Sequence, residues 1–420
     1  MTKLSLPIML LVLSQVGCSN QSNKAQNPSL LNHAQAIHSA ALTIDAHADI
    51  EIPGKPSMYV GADGLSKVTP QKMQKGGVDA VVMSLAVGPM PRTPEGYSKA
   101  KTIALTKLAA VKALSENPAN NTLIAKTTDE LLSAHSEGKS AIVLGFQNGL
   151  ILGTDVNQID ALYHSGVRVF GLTHMGHNDF ADSSRPLYNA ATKKREPEAE
   201  HGGLSPLGRQ AIAKINALGA IFDISQLSKQ AALQAMALSS SPVIASHSNV
   251  RALTDVSRNL SDEELDHLSK TGGVIHIAPF RGYLFDSSNP EMDINIRAVR
   301  RQAGIEESYL YPFELYWEIQ DAGIRKNFLT SVNALLGQIA VEQMVDHIDY
   351  VVKRIGVDHV GIGTDFNHGS GIEGFTDASD ALNITLELVK RGYSEEDIKK
   401  IWGGNFMRVW RQAELAASGV

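Results

Sequence analysis

His47-Ala-Asp49 places two ligand-type side chains two residues apart. On a β-strand such residues point the same way, so an imidazole and a carboxylate there can share one cation. Neutral imidazole with carboxylate suits Zn²⁺ and its neighbours in the first transition row. A lone His-x-Asp is equally well a structural pair. Two further residues of the same kind tip the balance. His247 ends the run Ile244-Ala-Ser-His-Ser248, and Asp365 lies in Gly361-Ile-Gly-Thr-Asp-Phe366. Together with His47 and Asp49 they make a four-ligand set of the kind that activates water.

These residues need elements that bring them to one place. Short apolar runs of strand length recur at 42–49, 80–86, 141–147, 167–174, 220–226, 243–248, 273–279 and 359–366, each followed by a longer helical pattern. Continuous Val/Ile/Leu runs suit strands buried on both faces, as in a parallel sheet covered by helices. Eight such units predict an α/β fold, a (β/α)8 TIM-type barrel, in which chemistry sits at the carboxyl ends of the strands. Those ends read His47 and Asp49, then Gln147, His174, Gln226, His247, His276 and Asp365, with none on the second run. That convergence is hard to explain as packing. Helix starts are marked by Ser205-Pro206 and by the capping box Ser261-Asp-Glu-Glu264. After strand seven, residues 280–357 form an inserted helical segment with helical spacing at 296–303 and 335–355, read as a lid or an oligomer contact.

With 43% hydrophobic and 20% charged residues, the 420-residue chain has the composition of a globular protein with a sizeable core. A formal net charge of −6 without blocks of like charge argues against nucleic acid as a partner. The single cysteine, Cys18, rules out an intrachain disulfide or a CxxC site. It follows Lys3, an apolar run from Leu4 to Val16 too short to span a bilayer, and Gly17. Residues 1–18 therefore read as a lipoprotein-type signal peptide with Cys18 as the lipidation site, although Gln15 departs from the usual pattern. The expectation is export to the periplasmic face of a bacterial membrane, with polar residues 19–33 as a flexible tether and 34–420 as the barrel domain.

Taken together, these motifs resemble the membrane (renal) dipeptidase family of the amidohydrolase superfamily. The likeness also rests on Leu172-Thr-His174, Gly203-Leu-Ser-Pro-Leu-Gly208, Ser257-Arg-Asn259 and Gly403-Gly-Asn-Phe-Met-Arg408. It implies a two-zinc dipeptidase, commonly a homodimer, hydrolysing small peptides with metal-activated water. Asp365 would be a ligand that also carries the proton, and His174 would stabilise the oxyanion. Arg258, flanked by Asn259, would bind the substrate carboxylate beside His174.

Two family ligand positions differ here. The bridging carboxylate falls at Gln147 and a histidine at Gln226, and an amide oxygen is a poor replacement for either toward zinc. Three outcomes are open. One Zn²⁺ on His47, Asp49 and Asp365 is favoured, because a catalytic zinc needs only three protein ligands and an open position. Alternatively His177, Asp179 or His276 completes a second site. Finally, the chain is a degenerate relative with one or no metal that tailors or binds a small peptide-derived metabolite. His177, Asp179 and Asp182 otherwise read as loop-shaping residues, His276 as a core hydrogen-bonding group, Asn367 and His368 as mouth residues, and Glu95 as solvated.

Overall fold

The computed structural model describes residues 28–419, apart from 56, 190, 191, 193, 306–315 and 317. The expected signal peptide, Cys18 and most of the tether lie outside the described residues. The tether's expected end at His33 does not hold, because the helix Pro28–Ala40 already occupies that stretch. Polar composition hid a helical stripe. Ala34, Ile37 and His38 are buried, and His38 bonds Thr385 Oγ1 at 2.6 Å and the Gly76 carbonyl at 2.8 Å.

Eight barrel strands follow: β1 (Ile44–Asp49), β2 (Ala80–Ala86), β3 (Ser140–Gln147), β4 (Val167–Gly171), β5 (Ile221–Asp223), β6 (Ile244–Ser248), β7 (Val274–Ile277) and β8 (Val360–Ile362). They are hydrogen-bonded in that order, every pair is parallel, and a short strand Thr122–Ile124 adds to β3 outside the path. The ring closes between β1 and β8. Asp49 N–H donates to the Phe366 carbonyl and Asp365 N–H to the His47 carbonyl, both at 2.8 Å. The (β/α)8 architecture read from the sequence is therefore the one observed.

Alternate residues of the strands point inward, as a period of two requires. Ile44, Val82, Val143, Val169, Ile221, Ile244 and Val274 pack into one inner cluster, joined from below by Phe406, Val409 and Trp410 of the helix Asn405–Ser418. A plugged floor leaves the opposite, carboxyl end as the only side where a site can open. Strands four, five and eight stop sooner than the apolar runs suggested, so His174, Gln226 and Asp365 sit just past the strand ends. Gln226 and Asp365 both have positive φ, 68° and 54°. Such turns end a strand while the hydrophobic run continues, which is why periodicity overshot.

Two long connections cover the mouth. The first, between β4 and the helix Pro206–Ala217, carries a small hairpin, Tyr188–Asn189 against Lys194–Arg195, that the sequence reading lacked. The second is the expected insertion after β7, with helices Pro290–Gln302, Ala322–Leu336 and Val341–Ile355. What read as one helix over 335–355 is broken at Gly337, whose φ of 66° no helix interior adopts. No helix among the described residues is long and apolar enough to cross a membrane.

The closing strand has no room for side chains beside β6. A Cβ built on Gly363 would lie 1.8 Å from the Ser246 carbonyl oxygen, which is backbone and cannot swing away. We expect Gly363→Ala to cost about 3 kcal/mol or more, at the upper end of overpacking penalties, read as a lower urea midpoint. An unchanged midpoint would mean that β6 and β8 part more easily than this contact implies.

Candidate metal centre

His47 and Asp49 project from the end of β1, and Asp365 from the turn after β8. His47 Nε2 stands 3.9 Å from both Asp49 Oδ1 and Asp365 Oδ1. His47 Nε2 and Asp49 Oδ1 are buried without a hydrogen-bond partner among the described residues. Two facing buried ligand atoms left unsatisfied are what a cation site requires and what packing avoids. His247 joins them. His47, His247 and Asp365 each bring a ligand atom within 4.8 Å of the others, and the two imidazoles stack with centroids 3.8 Å apart. The four residues singled out from the sequence are thus brought together, and they fit one divalent cation.

Electrostatics separate the two carboxylates. Burial pushes Asp365 up to about 7, helped by the Asp49 charge and opposed by His368. Burial acts on Asp49 in the same sense, but Lys107 and a hydrogen bond from His368 outweigh it and hold this carboxyl well below the usual range. Lys107 Nζ lies 4.0 Å and His368 Nδ1 2.9 Å from Asp49 Oδ2. The surroundings thus shift the two carboxyls in opposite directions. Burial lowers His47 to about 4 and takes His247 and His174 well below their ordinary value. All three are neutral imidazoles, as ligands or hydrogen-bond partners should be.

Their orientation comes from one hydroxyl. Ser246 Oγ donates to Asp223 Oδ2 at 2.5 Å, so it accepts from His247 Nδ1 at 2.8 Å and stands 3.4 Å from His47 Nδ1. Both rings then carry their proton on Nδ1 and turn Nε2 toward the centre. Asp223 is itself held by the Ser225 and Ser246 N–H groups at 2.9 Å. Neither Ser246 nor Asp223 was singled out from the sequence. The available signal was weak: Ser246 directly precedes a ligand, but serine is common at strand ends.

Gln147 and Gln226 also converge here, with their side-chain nitrogens 3.3 and 3.1 Å from His247 Nε2. Arg185 donates to Gln226 Oε1. None of the residues offered as a replacement second-metal ligand reaches the centre. His177 is spent on the Pro197 carbonyl and the Ser183 N–H, Asp179 accepts from Tyr97, and His276 bonds the Ala245 carbonyl inside the barrel wall. Residue type admits these side chains as ligands, but their partners in the fold direct them elsewhere. Asp182 shapes its loop, accepting N–H groups of Glu200, His201 and Gly203.

A cavity of about 820 Å³ opens above the centre, with Asp49, Lys107, His174 and His368 facing it and Tyr59, Met90, Met175 and Leu187 on its walls. His174 Nδ1 has no hydrogen-bond partner among the described residues. Arg258 is buried beneath, donating to Ser248 Oγ at 2.7 Å and to the His247 carbonyl, while its Nε–H has no partner among the described residues. Asn259 lies beside Arg258, and its buried Oδ1 has no hydrogen-bond partner among the described residues. Its amide nitrogen is committed to the Thr254 and Tyr283 carbonyls at 3.0 and 3.1 Å, so it braces the loop that carries Arg258. Asn367 lines the cavity with His368, as expected of a mouth residue, and also donates to the Asp49 carbonyl at 2.8 Å.

The model of the membrane dipeptidase family, peptidase family M19, matches residues 31–420. The chain belongs to that family. Dipeptidase tcpJ of Claviceps purpurea is 30% identical over 70% of this chain, and dipeptidase aclJ of Aspergillus oryzae 31% identical over 67%. The matched stretch spans only 56% and 54% of those two fungal proteins. Among solved structures, the probable dipeptidase PvdM from Pseudomonas aeruginosa is 34% identical, with a TM-score of 0.82 over 93% of this chain and all of that one. A family M19 metallopeptidase, dipeptidase AC, shares the fold at a TM-score of 0.68 and 19% identity, over 89% of this chain and 98% of its own.

If Ser246 orients both imidazoles, Ser246→Ala should weaken metal binding by roughly 10–100-fold, the usual effect of removing a group that positions ligands. Competition titration against a chromophoric chelator measures it. Unaltered affinity would show that the rings are held by packing alone.

Proposed function

We propose that this chain is a metal-dependent hydrolase that cleaves the peptide bond of dipeptides or similar small peptides, working with a single Zn²⁺ held by His47, Asp49 and Asp365, with His247 beside it. The observation that carries the reading is the pair of unsatisfied, buried ligand atoms, His47 Nε2 and Asp49 Oδ1, facing Asp365 beneath a closed-floor cavity. When bound, the ion would supply a nucleophilic hydroxide at neutral pH and Lewis-acid polarisation of the scissile carbonyl. The remaining work falls to the protein. Asp365, buried beside the ion, takes the proton of the attacking water and passes it to the leaving amine. His174 donates to the developing oxyanion, and the Arg258 Nε–H pairs with the substrate carboxylate.

The alternative of a degenerate binding relative is favoured only by Gln147 and Gln226. We expect the purified protein to carry one zinc per chain by plasma mass spectrometry and to hydrolyse simple dipeptides. Asp365→Asn should lower kcat by about 10²-fold or more, the scale of a general base. Less than one metal per chain together with no turnover would sink the hydrolase reading.

Substrate selection gives a second test. Arg258→Ala should raise KM for free-acid dipeptides by about tenfold or more, since a charge-assisted hydrogen bond is worth ~1.5–3 kcal/mol, while carboxyl-amidated analogues change little. Equal loss on both would remove Arg258 from carboxylate binding.

A further inference from the structure

The cavity wall carries one charge that the hydrolytic steps leave unused. Lys107, on the helix Pro94–Glu116, faces the cavity with its side chain 12% exposed. Its ammonium lies 4.0 Å from Asp49 Oδ2, within ion-pair range but too far for a hydrogen bond. The hydrogen bond to that oxygen comes from His368 Nδ1, at 2.9 Å. Lys107 Nζ makes no hydrogen bond among the described residues, so the three donors of a compact cation are open to the cavity. The other charged side chains on the wall already have partners. Arg92 donates to both Glu200 oxygens at 2.9 Å, and Glu318 accepts from two Arg195 nitrogens at 2.7 and 2.8 Å. Glu196 accepts the His177 and Leu187 N–H groups at 3.0 and 2.9 Å, and Glu51 accepts the Ser57 hydroxyl at 2.8 Å.

We propose that Lys107 is a specificity residue that pairs with a carboxylate side chain on the amino-terminal residue of the substrate, so that dipeptides beginning with Asp or Glu are preferred. This rests on the hydrolase reading above and names the substrate class of the same site. The direction comes from the barrel. Lys107 belongs to the helix after β2 and Arg258 to the loop after β6, and strands four places apart in a ring of eight lie on opposite sides of the centre. With the terminal carboxylate drawn toward Arg258 and the scissile bond at the centre, the side chain of the other residue extends toward Lys107. The reach is short. Nζ stands 4.0 Å from a residue of the centre itself, which suits a carboxylate carried on one or two methylenes. Met90, Met175 and Leu187 line the same cavity, and beside such apolar walls a charge pair is stronger than in open water. A neutral amide of the same shape could accept one hydrogen bond from Lys107 but would bring no charge.

The test compares kcat/KM for aspartyl-alanine with that for asparaginyl-alanine, its uncharged counterpart. The wild type should favour the aspartyl peptide by about tenfold or more, the scale of a charge-assisted hydrogen bond. Lys107→Met, which removes the charge and keeps most of the volume, should bring the ratio to about one, and Lys107→Arg should keep it well above that of Lys107→Met. Because the ratio is taken within each variant, any effect passed through Asp49 to the metal centre acts on both peptides alike and cancels. A wild-type ratio near one would overturn the proposal, as would a Lys107→Met ratio equal to the wild type's or a Lys107→Arg ratio no higher than that of Lys107→Met. Near-ultraviolet circular dichroism certifies each fold, and should Lys107→Met not fold, Lys107→Gln takes its place under the same criteria. If the wild type turns over neither peptide, the hydrolase reading fails by itself. The ratio is then read from dissociation constants by calorimetry with the same two peptides, and binding of neither would overturn the role of Lys107 as well.

Discussion

Asp45 carries the seam on which the rest of the site depends. Its carboxylate accepts the Thr364 N–H at 2.7 Å and the Thr364 hydroxyl at 2.6 Å across 319 residues of sequence, and the His47 N–H at 3.2 Å on its own strand. Burial pushes its carboxyl up to about 7 against the pull of those donors. Thr364 and His47 directly adjoin or form the centre. The bonds that close the barrel therefore also place His47, Asp49 and Asp365 around one point. Leaving any of these buried groups unsatisfied would cost about 1–3 kcal/mol, and the loss would be felt as ligand geometry before it was felt as unfolding.

Around that seam the charges are arranged in opposition. Asp49 is pinned as an anion by Lys107 and His368, Asp365 is lifted by burial, and three imidazoles are kept neutral. Two carboxylates of the same chemical type thereby receive different tasks from their surroundings alone. Lys107 comes from the helix Pro94–Glu116. His368 comes from the turn that also carries Asp365. The roles within the centre are thus set by side chains that are not ligands themselves.

Backbone conformation at the mouth tells the same story. Asn148, Gln226, Asp365 and Asn367 all hold positive φ, between 54° and 93°. Non-glycine residues in that region cost of order 1–3 kcal/mol each and persist where surrounding structure over-determines them. Gln226 holds its turn with a side chain that joins Arg185 and His247. The mouth can carry such strained turns because the barrel is stabilised by its inner layer and plugged floor.

Much of this was open to reading along the chain. Eight buried parallel strands show themselves as apolar runs because both faces must be covered, and the ligand-type residues at their ends stand out against that background. His47, Asp49, His247 and Asp365 were legible for this reason, and so were Gln147 and Gln226 as polar residues at strand ends. Strand ends were not, since the turns at Gln226 and Asp365 interrupt hydrogen bonding without interrupting hydrophobicity. Nor were Arg185, Lys107, Ser246 and Asp223, whose partners lie 41, 58, 199 and 23 residues away. Residue type and local spacing carry what a segment buries and which side chains can ligate. Direction, reach and the field of neighbouring charges exist only once the barrel has closed, so the choice of which glutamine atom faces His247, and which carboxylate keeps its proton, belongs to the tertiary structure.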